Sequence, residues 1–346
     1  MFPLLFAFEV VEQFCPKGGA VLDPFAGRAS SLYAAAVTGR KGYGVEINKV
    51  GWLYGHAKLN PSPLEPVLSR NANIGQHATF ISESELKELP AFFHSCYTKR
   101  VLRYLLAARQ HLAWLSDPSD ATLMALILVY LHGAKEKSFS NQMRQSKAMA
   151  PEYSINWWYE HDSSPPDIDP IQFMEQRIRW RYKHGLPIVE DNRILLGDST
   201  KLLEEFAKLQ HTNHIPKFDL LFTSPPYYNV TSYHYDQWLR LWMLGGTHAP
   251  TKSGGDWQNG FWSQSLYHEL LNKVFSQSAA LMKDHAVIYV RTDARQFTLE
   301  TTLDVLRKLF PSKEARVVES PLKKNNQTAL YGDKSQKPGE VDIILA

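Results

Sequence analysis

The sequence predicts an α/β fold: a mostly parallel, seven-stranded sheet with helices on both faces, interrupted by a mostly helical insertion. Three observations carry this. Short apolar runs of strand character recur at both ends of the chain, separated by helical patterns, as strand–helix–strand crossovers require. Several of these runs end in glycine or an acid, the residue types found where ligands meet the edge of an open sheet. Between the second and third runs lie about 140 residues without a strand pattern, far too many for a simple crossover.

In chain order, Ala20-Val21-Leu22 is the first strand and leads into Asp23-Pro24-Phe25-Ala26-Gly27; the alanine-rich stretch Ser30 to Thr38 follows as a helix. Gly42 to Ile47 is the second strand, Arg193 to Asp198 the third, Phe218 to Phe222 the fourth and Ala286 to Val290 the fifth. Arg316 to Glu319 and Val341 to Leu345 complete seven, with helical patterns at Lys201 to Leu209 and Leu299 to Leu309. In the middle, Val101 to Trp114 and Ala121 to His132 are apolar at helical spacing. Pro165 to Pro170 is a stiff turn, after which Ile171 to Tyr182 resumes a helical pattern. The expected organisation is a sheet domain over 1–70 and 188–346 and a helical insertion over 71–187, a candidate target-recognition region.

The 346 residues are 44% apolar, which fits a soluble globular protein with a substantial core. The net charge of +3 means that any nucleic-acid contact must come from local patches rather than from the overall field. The two cysteines, Cys15 and Cys96, have no metal-ligand spacing and form no disulfide framework, so no metal is expected and a reducing cytoplasm is the default compartment. Met1 to Val11 is apolar, but it has no basic n-region and Glu9 and Glu12 interrupt it, so it is a poor signal peptide. No run approaches the ~18 apolar residues of a membrane span.

Four features meet at the carboxyl edge of the predicted sheet. Asp23 to Gly27 follows a strand and opens a helix; the glycine lets a ligand approach the backbone, and the helix N-terminus offers free N–H groups. Its plainer alternative is a tight turn between strand and helix. Glu46 ends the second strand and can accept both ribose hydroxyls of a nucleoside cofactor, as the equivalent acid does in dinucleotide folds; otherwise it is a solvated strand-end acid. Asp198 ends the third strand and could accept from an adenine amino group, while Asp198 or Ser199 could equally cap the next helix. The fourth strand ends in Thr223-Ser224-Pro225-Pro226-Tyr227, where two prolines forbid further ladder pairing and hold Ser224 on a rigid corner. Oxygen acceptors beside an aromatic ring suit a planar base that carries an amino group.

On these motifs the chain resembles the S-adenosylmethionine-dependent DNA amino-methyltransferases, in which Asp-Pro-Phe-x-Gly is the cofactor loop and (Asp/Asn/Ser)-Pro-Pro-(Tyr/Phe/Trp) the catalytic motif. The likeness spans residues 1–60 and 193–346. It implies a Rossmann-like methyltransferase sheet, S-adenosyl-L-methionine as cofactor, and cofactor contacts at Asp23, Pro24, Phe25, Ala26, Gly27, Glu46, Ile47, Asp198 and Ser199. Phe2-Pro3-Leu4-Leu5 resembles the family's leading motif, which packs against the cofactor. Thr-Ser-Pro-Pro-Tyr resembles the form common among cytosine-N4 enzymes; adenine-N6 enzymes mostly carry Asp or Asn first. Two departures stand out. The loop continues Gly27-Arg28-Ala29-Ser30 where many members have Gly-Ser-Gly-Thr, and the cofactor half precedes the catalytic half.

The function implied is transfer of a methyl group to cytosine N4 in DNA, with Ser224, Pro225, Pro226 and Tyr227 catalytic and the target base flipped out of the duplex. Adenine N6 is the second choice. RNA methylation at guanine N2 or in ribosomal RNA, and an inactive nucleic-acid-binding subunit, are the rival readings. The family setting is restriction–modification, with a cognate restriction or defence nuclease as partner. Candidate nucleic-acid contacts are Lys135, Lys137, Asn141, Gln142, Arg144 and Lys147 in the insertion, with Lys323 and Lys324 before the last strand. Their plain alternative is a solvated face. The aromatic segment Tyr228 to Trp262 reads either as a mobile loop closing over the base or as a surface loop packed by its own rings.

Overall fold

A computed structural model describes residues 2–187, 189, 191–228, 233–251, 263–320 and 339–346. Its seven strands are β1 (Ala20–Asp23), β2 (Lys41–Glu46), β3 (Asn192–Leu196), β4 (Phe218–Thr223), β5 (Met282–Asp293), β6 (Ala315–Ser320) and β7 (Glu340–Leu345). They form one sheet in the order β3-β2-β1-β4-β5-β7-β6. The pairs β3–β2, β2–β1, β1–β4 and β4–β5 are parallel, while β7 runs antiparallel to both β5 and β6. The fold is thus α/β and Rossmann-like. The chain runs outward from β1 through β2 to β3, then returns to place β4 on the other side of β1. That reversal puts a topological switch point between the carboxyl ends of β1 and β4, where open α/β sheets bind ligands.

Alternating strand residues bury opposite faces of the sheet. Ala20, Leu22, Tyr43, Val45, Phe218 and Leu221 join one core with residues of the helices Ser199–His211, Gln264–Leu281 and Gln296–Leu309. Val21, Leu220, Phe222 and Tyr289 join the other with the helices Leu4–Phe14 and Ser30–Val37. The first of these helices buries Ala7, Val10 and Val11, the spacing of one helical face. Periodicity over 4–14 therefore marked a helix where the sequence was read only as apolar.

The chain divides into two compact units, one comprising Met1–Gly55, Pro187–Thr231 and Gly255–Ala346, the other His56–Leu186 and Ser232–Gly254. The first holds the sheet and the second is helical. The division falls at Gly55 rather than at residue 70, because the helix Leu64–Ala78 belongs to the helical core. Its Val67, Asn71 and Ile74 are buried. Asn71 donates to the Ile171 carbonyl at 3.0 Å and accepts from the Tyr104 hydroxyl at 2.7 Å. The helices Lys99–His111, Pro118–Tyr130 and Pro170–Tyr182 join that core at the positions where helical spacing was predicted.

The expectation of a loop over Tyr228 to Trp262 needs correction. Residues Trp238–Met243 form a helix that buries Trp238, Leu239, Trp242 and Met243 in the helical unit. Arg240 is buried there too, donating to the carbonyls of Leu128 at 3.1 Å and Gln145 at 2.8 Å. Residues 229–232 and 252–262 lie outside the described residues.

Candidate active site

The carboxyl ends of β1, β2, β3 and β4 bring the predicted motif residues to one edge. Asp23 closes β1 with its side chain turned inward. It is 1% exposed and accepts from the Phe25 amide at 3.1 Å, from the Thr223 hydroxyl at 2.6 Å, and from the Ser31 hydroxyl. Burial pushes its pKa up to about 6, against the pull of those three donors. Asp23 therefore spends its carboxylate on the protein, bridging β1 to β4 across the switch point. Ser199, predicted as a cofactor contact, behaves likewise: it is buried, and its hydroxyl donates to the Pro24 carbonyl, tying the β3 end to the same loop.

Gly27 has φ +55, a conformation that glycine adopts without strain, and a Cβ built there would meet no atom within 4 Å, so its α-carbon borders open space. The Gly27 amide donates to Glu46 Oε2 at 2.6 Å, and the Asn48 amide donates to Oε1 at 2.7 Å. A carboxylate has about four lone-pair positions, which leaves two for a ligand. Glu46 is half-buried. Burial, with a smaller push from the Asp23 charge, raises its pKa to about 7. Beside it, Ile47 is 37% exposed, an apolar platform next to the acid.

The departure Gly27-Arg28-Ala29-Ser30 has a structural account. Ala29 adopts φ 55 and ψ 42, the left-handed conformation that a glycine would take without strain. Its methyl is accommodated because Gly55 lacks one: a Cβ at Gly55 would sit 2.9 Å from the Ala29 Cβ and 2.8 Å from Ile194 Cδ1. Arg28 lies over the Tyr54 ring, 4.9 Å from its centroid.

Asp198 is the N-cap of the helix Ser199–His211, its Oδ1 accepting from the amide and hydroxyl of Thr200, each at 2.7 Å. Its Oδ2 accepts no hydrogen bond among the described residues, so capping leaves an oxygen at the edge. Pro24 and Ala26 are buried, and Phe25 packs partly buried against the core. Phe2 is buried with its ring stacked on Phe222, centroids 4.2 Å apart, whereas Pro3 is an exposed N-cap. Phe2 thus supports β4 two residues before Ser224.

At the end of β4, Pro225 is buried while Ser224, Pro226 and Tyr227 are half-buried. Ser224 Oγ donates to the Tyr227 hydroxyl at 3.5 Å, and that hydroxyl donates to Glu340 Oε1 at 3.3 Å. Glu340 Oε2 lies 3.5 Å from Arg291 Nη1. Arg291 also forks onto Asp342 with bonds of 2.6 and 2.7 Å, and its guanidinium carbon stands 3.5 Å from the Phe6 centroid. The next residue, Tyr228, has its carbonyl held by Arg295, which is paired to Asp293 at 2.6 Å. Sequence reasoning missed Thr223 as a bridge, and it missed Glu340, Arg291 and Arg295. The available signal was Arg291 on the fifth strand and the two acids Glu340 and Asp342 on the seventh, with Arg291 facing Asp342 in antiparallel register.

The proposed nucleic-acid contacts in the helical unit divide. Asn141 is corrected: it is fully buried, donating to the carbonyls of Ser95 and Ser163 at 3.3 and 2.8 Å and accepting from the Ser163 hydroxyl at 2.6 Å. It crosslinks the helical core and cannot read a base. Lys147 pairs with Asp236 at 3.8 Å. Lys137, Gln142 and Arg144 are exposed and Lys135 is half-buried; Gln142 and Arg144 border a cleft with Met149, Tyr153 and Trp157. Lys323 and Lys324 lie outside the described residues.

Cys15 and Cys96 are buried, and burial pushes the Cys15 pKa up to about 12. Among the described residues no helix is long and apolar enough to cross a membrane.

No family model and no curated protein matches the chain. Among solved structures, the rRNA methyltransferase AviRa from Streptomyces viridochromogenes aligns over 99% of this chain and 84% of its own, at 12% identity and a TM-score of 0.34. Precorrin-6y C5,15-methyltransferase from Geobacter metallireducens aligns over 99% and 84%, at 9% identity and a TM-score of 0.35. Precorrin-8W decarboxylase from Methanobacterium thermoautotrophicum aligns over 100% and 91%, at 10% identity and a TM-score of 0.37. The fold of this chain rests on its own strand order.

Proposed function

We propose that this chain is an S-adenosylmethionine-dependent methyltransferase acting on an exocyclic amino group of a nucleic-acid base, cytosine N4 in DNA. The observation that supports it most is the Thr223–Asp23 hydrogen bond, which joins a Ser-Pro-Pro-Tyr corner to a glycine-bearing loop at the switch point of the sheet. The residues fit the cofactor: Glu46 keeps lone pairs for ribose hydroxyls, Ile47 offers an apolar surface, Asp198 keeps a free oxygen for an amino group, and Gly27 leaves space at the backbone.

The bound cofactor supplies an electrophilic methyl on a sulfonium. The chain's own residues prepare the amino nitrogen, whose lone pair is delocalised into the base. Ser224 Oγ and the Pro225 carbonyl would accept hydrogen bonds from its N–H groups and favour a more tetrahedral nitrogen, which would take the methyl as the methyl's bond to sulfur breaks and then lose one N–H proton to solvent. Tyr227 stacks on the base. Positioning and fixed dipoles supply the rate, and no cysteine adduct takes part. Lys135, Lys137, Gln142, Arg144 and Lys147, with Lys323 and Lys324, are the candidates for nucleic-acid contact.

Tritiated methyl transfer to unmethylated genomic DNA, followed by nucleoside analysis, tests this. N4-methylcytosine supports the reading, N6-methyladenine moves it to the other amino base, and label confined to RNA overturns the DNA assignment. Ser224→Ala and Tyr227→Ala should each abolish most transfer while cofactor binding by calorimetry stays normal. Normal transfer by both removes the corner from the mechanism.

A further inference from the structure

A serine hydroxyl differs from a carboxylate or amide oxygen in one respect that matters at this corner. It can donate as readily as it accepts, and a target amino group needs an acceptor. A Ser224 that pointed its proton at the incoming nitrogen would oppose the reaction. Something must hold that proton elsewhere.

We propose that Glu340 and Tyr227 set the hydrogen-bond direction of Ser224, making Glu340 a positioning residue for the reaction proposed above, on which this inference rests. Glu340 is an obligate acceptor at the end of a chain of oxygens. Its Oε1 accepts a hydrogen bond from the Tyr227 hydroxyl at 3.3 Å, which turns the phenol lone pairs toward Ser224. Ser224 then donates to Tyr227 at 3.5 Å, and its own lone pairs are left for the substrate. Arg291 anchors the carboxylate at 3.5 Å and is itself fixed by the buried fork to Asp342. Hydrogen bonds in such chains polarise one another. Both oxygen separations are long; catalytic hydrogen bonds of this kind commonly tighten as a substrate closes the site. The relay also assigns Tyr227 a second task beyond stacking, carried by its hydroxyl and separable from its ring.

The full chain and its variants Glu340→Ala, Glu340→Gln, Tyr227→Phe and the double variant Glu340→Ala/Tyr227→Phe test this. Glu340→Ala should lower kcat by about tenfold, the effect of one lost hydrogen bond in the transition state, with KM for cofactor and nucleic acid little changed. Glu340→Gln, which keeps an acceptor oxygen, should recover part of that loss. Tyr227→Phe should match Glu340→Ala, and the double variant should be no worse than Tyr227→Phe alone. Unchanged kcat in Glu340→Ala, or losses that multiply in the double variant, overturns the relay.

A second readout does not need turnover. In chain labelled with 13Cζ-tyrosine, the Tyr227 resonance, assigned by its loss in Tyr227→Phe, should move in Glu340→Ala and much less in Glu340→Gln. A Tyr227 resonance that stays in place in Glu340→Ala overturns the relay. A chain that transfers no methyl to any nucleic acid but shows the shift retains the relay and loses the function.

Discussion

Replacing Thr223 by valine removes one hydroxyl and leaves the shape of the side chain almost intact. The hydroxyl donates to Asp23 Oδ1 at 2.6 Å, with Thr223 0% and Asp23 1% exposed, so water does not replace it. The loss depends on whether Asp23 is charged. Burial holds its pKa near 6, up from an ordinary 3.8, so at about pH 8 the lost bond is one to a carboxylate and costs about 2 kcal/mol. At about pH 5 Asp23 carries a proton, and the lost bond is neutral, about 1 kcal/mol. The valine methyl adds the same small apolar gain at both pH values. The sign follows from proton linkage. Thr223 lowers the folded-state pKa of Asp23, so removing it raises that pKa further and penalises the ionised form alone.

Urea unfolding at the two pH values reads the difference, provided that the slope with denaturant is unchanged. The expected result is a midpoint shift about twice as large at the higher pH. Equal shifts at both would refute the bridge to an ionising Asp23. The wild-type chain supplies a second arm. Its folded state holds the Asp23 proton more tightly than its unfolded state does, so Asp23 withdraws about 3 kcal/mol of stability as pH rises from about 4 to about 6. Asp23→Asn should remove that contribution and flatten the window.

Glu46→Gln should weaken S-adenosylmethionine binding in calorimetry. Because burial holds Glu46 near pKa 7, wild-type affinity should rise between about pH 6 and pH 8 and the variant's should not; a flat wild-type profile contradicts a ribose role for the ionised acid. Gly27→Ala forces a side chain onto φ +55 at about 1–2 kcal/mol and places a methyl at the cofactor edge, so thermal stability and cofactor affinity should fall together. Affinity unchanged in that variant removes the loop from the binding site. Gly51→Ala puts a Cβ 2.9 Å from the Gly27 carbonyl oxygen and 3.1 Å from Glu46 Cγ; the backbone cannot yield cheaply, and a loss of about 1–3 kcal/mol is expected in thermal unfolding.

What could be read from sequence was whatever the local pattern dictates. β4 was legible because Phe218 to Phe222 is buried on both faces and reads as an apolar run broken only by Asp219. Gly27 was legible because a left-handed turn after a strand favours glycine. The N-cap at Asp198 was legible as one of two roles, and the structure shows capping by one oxygen with the other left over. Asn141 was misread because an amide in a basic segment looks the same whether it faces a base or a carbonyl; only the fold shows its partners at Ser95 and Ser163. Thr223 and Glu340 were missed for a related reason. Each acts through a residue more than a hundred positions away, and no periodicity records such a pairing.

That distance bears on why the sheet tolerates so large an insertion. His56–Leu186 interrupts it between β2 and β3, yet the bonds that shape the edge lie within the sheet-bearing unit. Thr223 to Asp23 spans 200 positions, Ser199 to Pro24 spans 175, and the Gly27 amide reaches Glu46 within one crossover. Closure entropy grows only with the logarithm of loop length, so lengthening a ~15-residue crossover to ~145 residues costs about 2 kcal/mol even for a flexible chain. The inserted segment also buries its own core, with Asn71, Tyr104 and Asn141 satisfied inside it. The site geometry therefore depends on the strand ends and their hydrogen bonds, not on the length of chain between them. Substitutions confined to the helical core should leave cofactor binding intact, and those at Thr223, Ser199 or Gly51 should not.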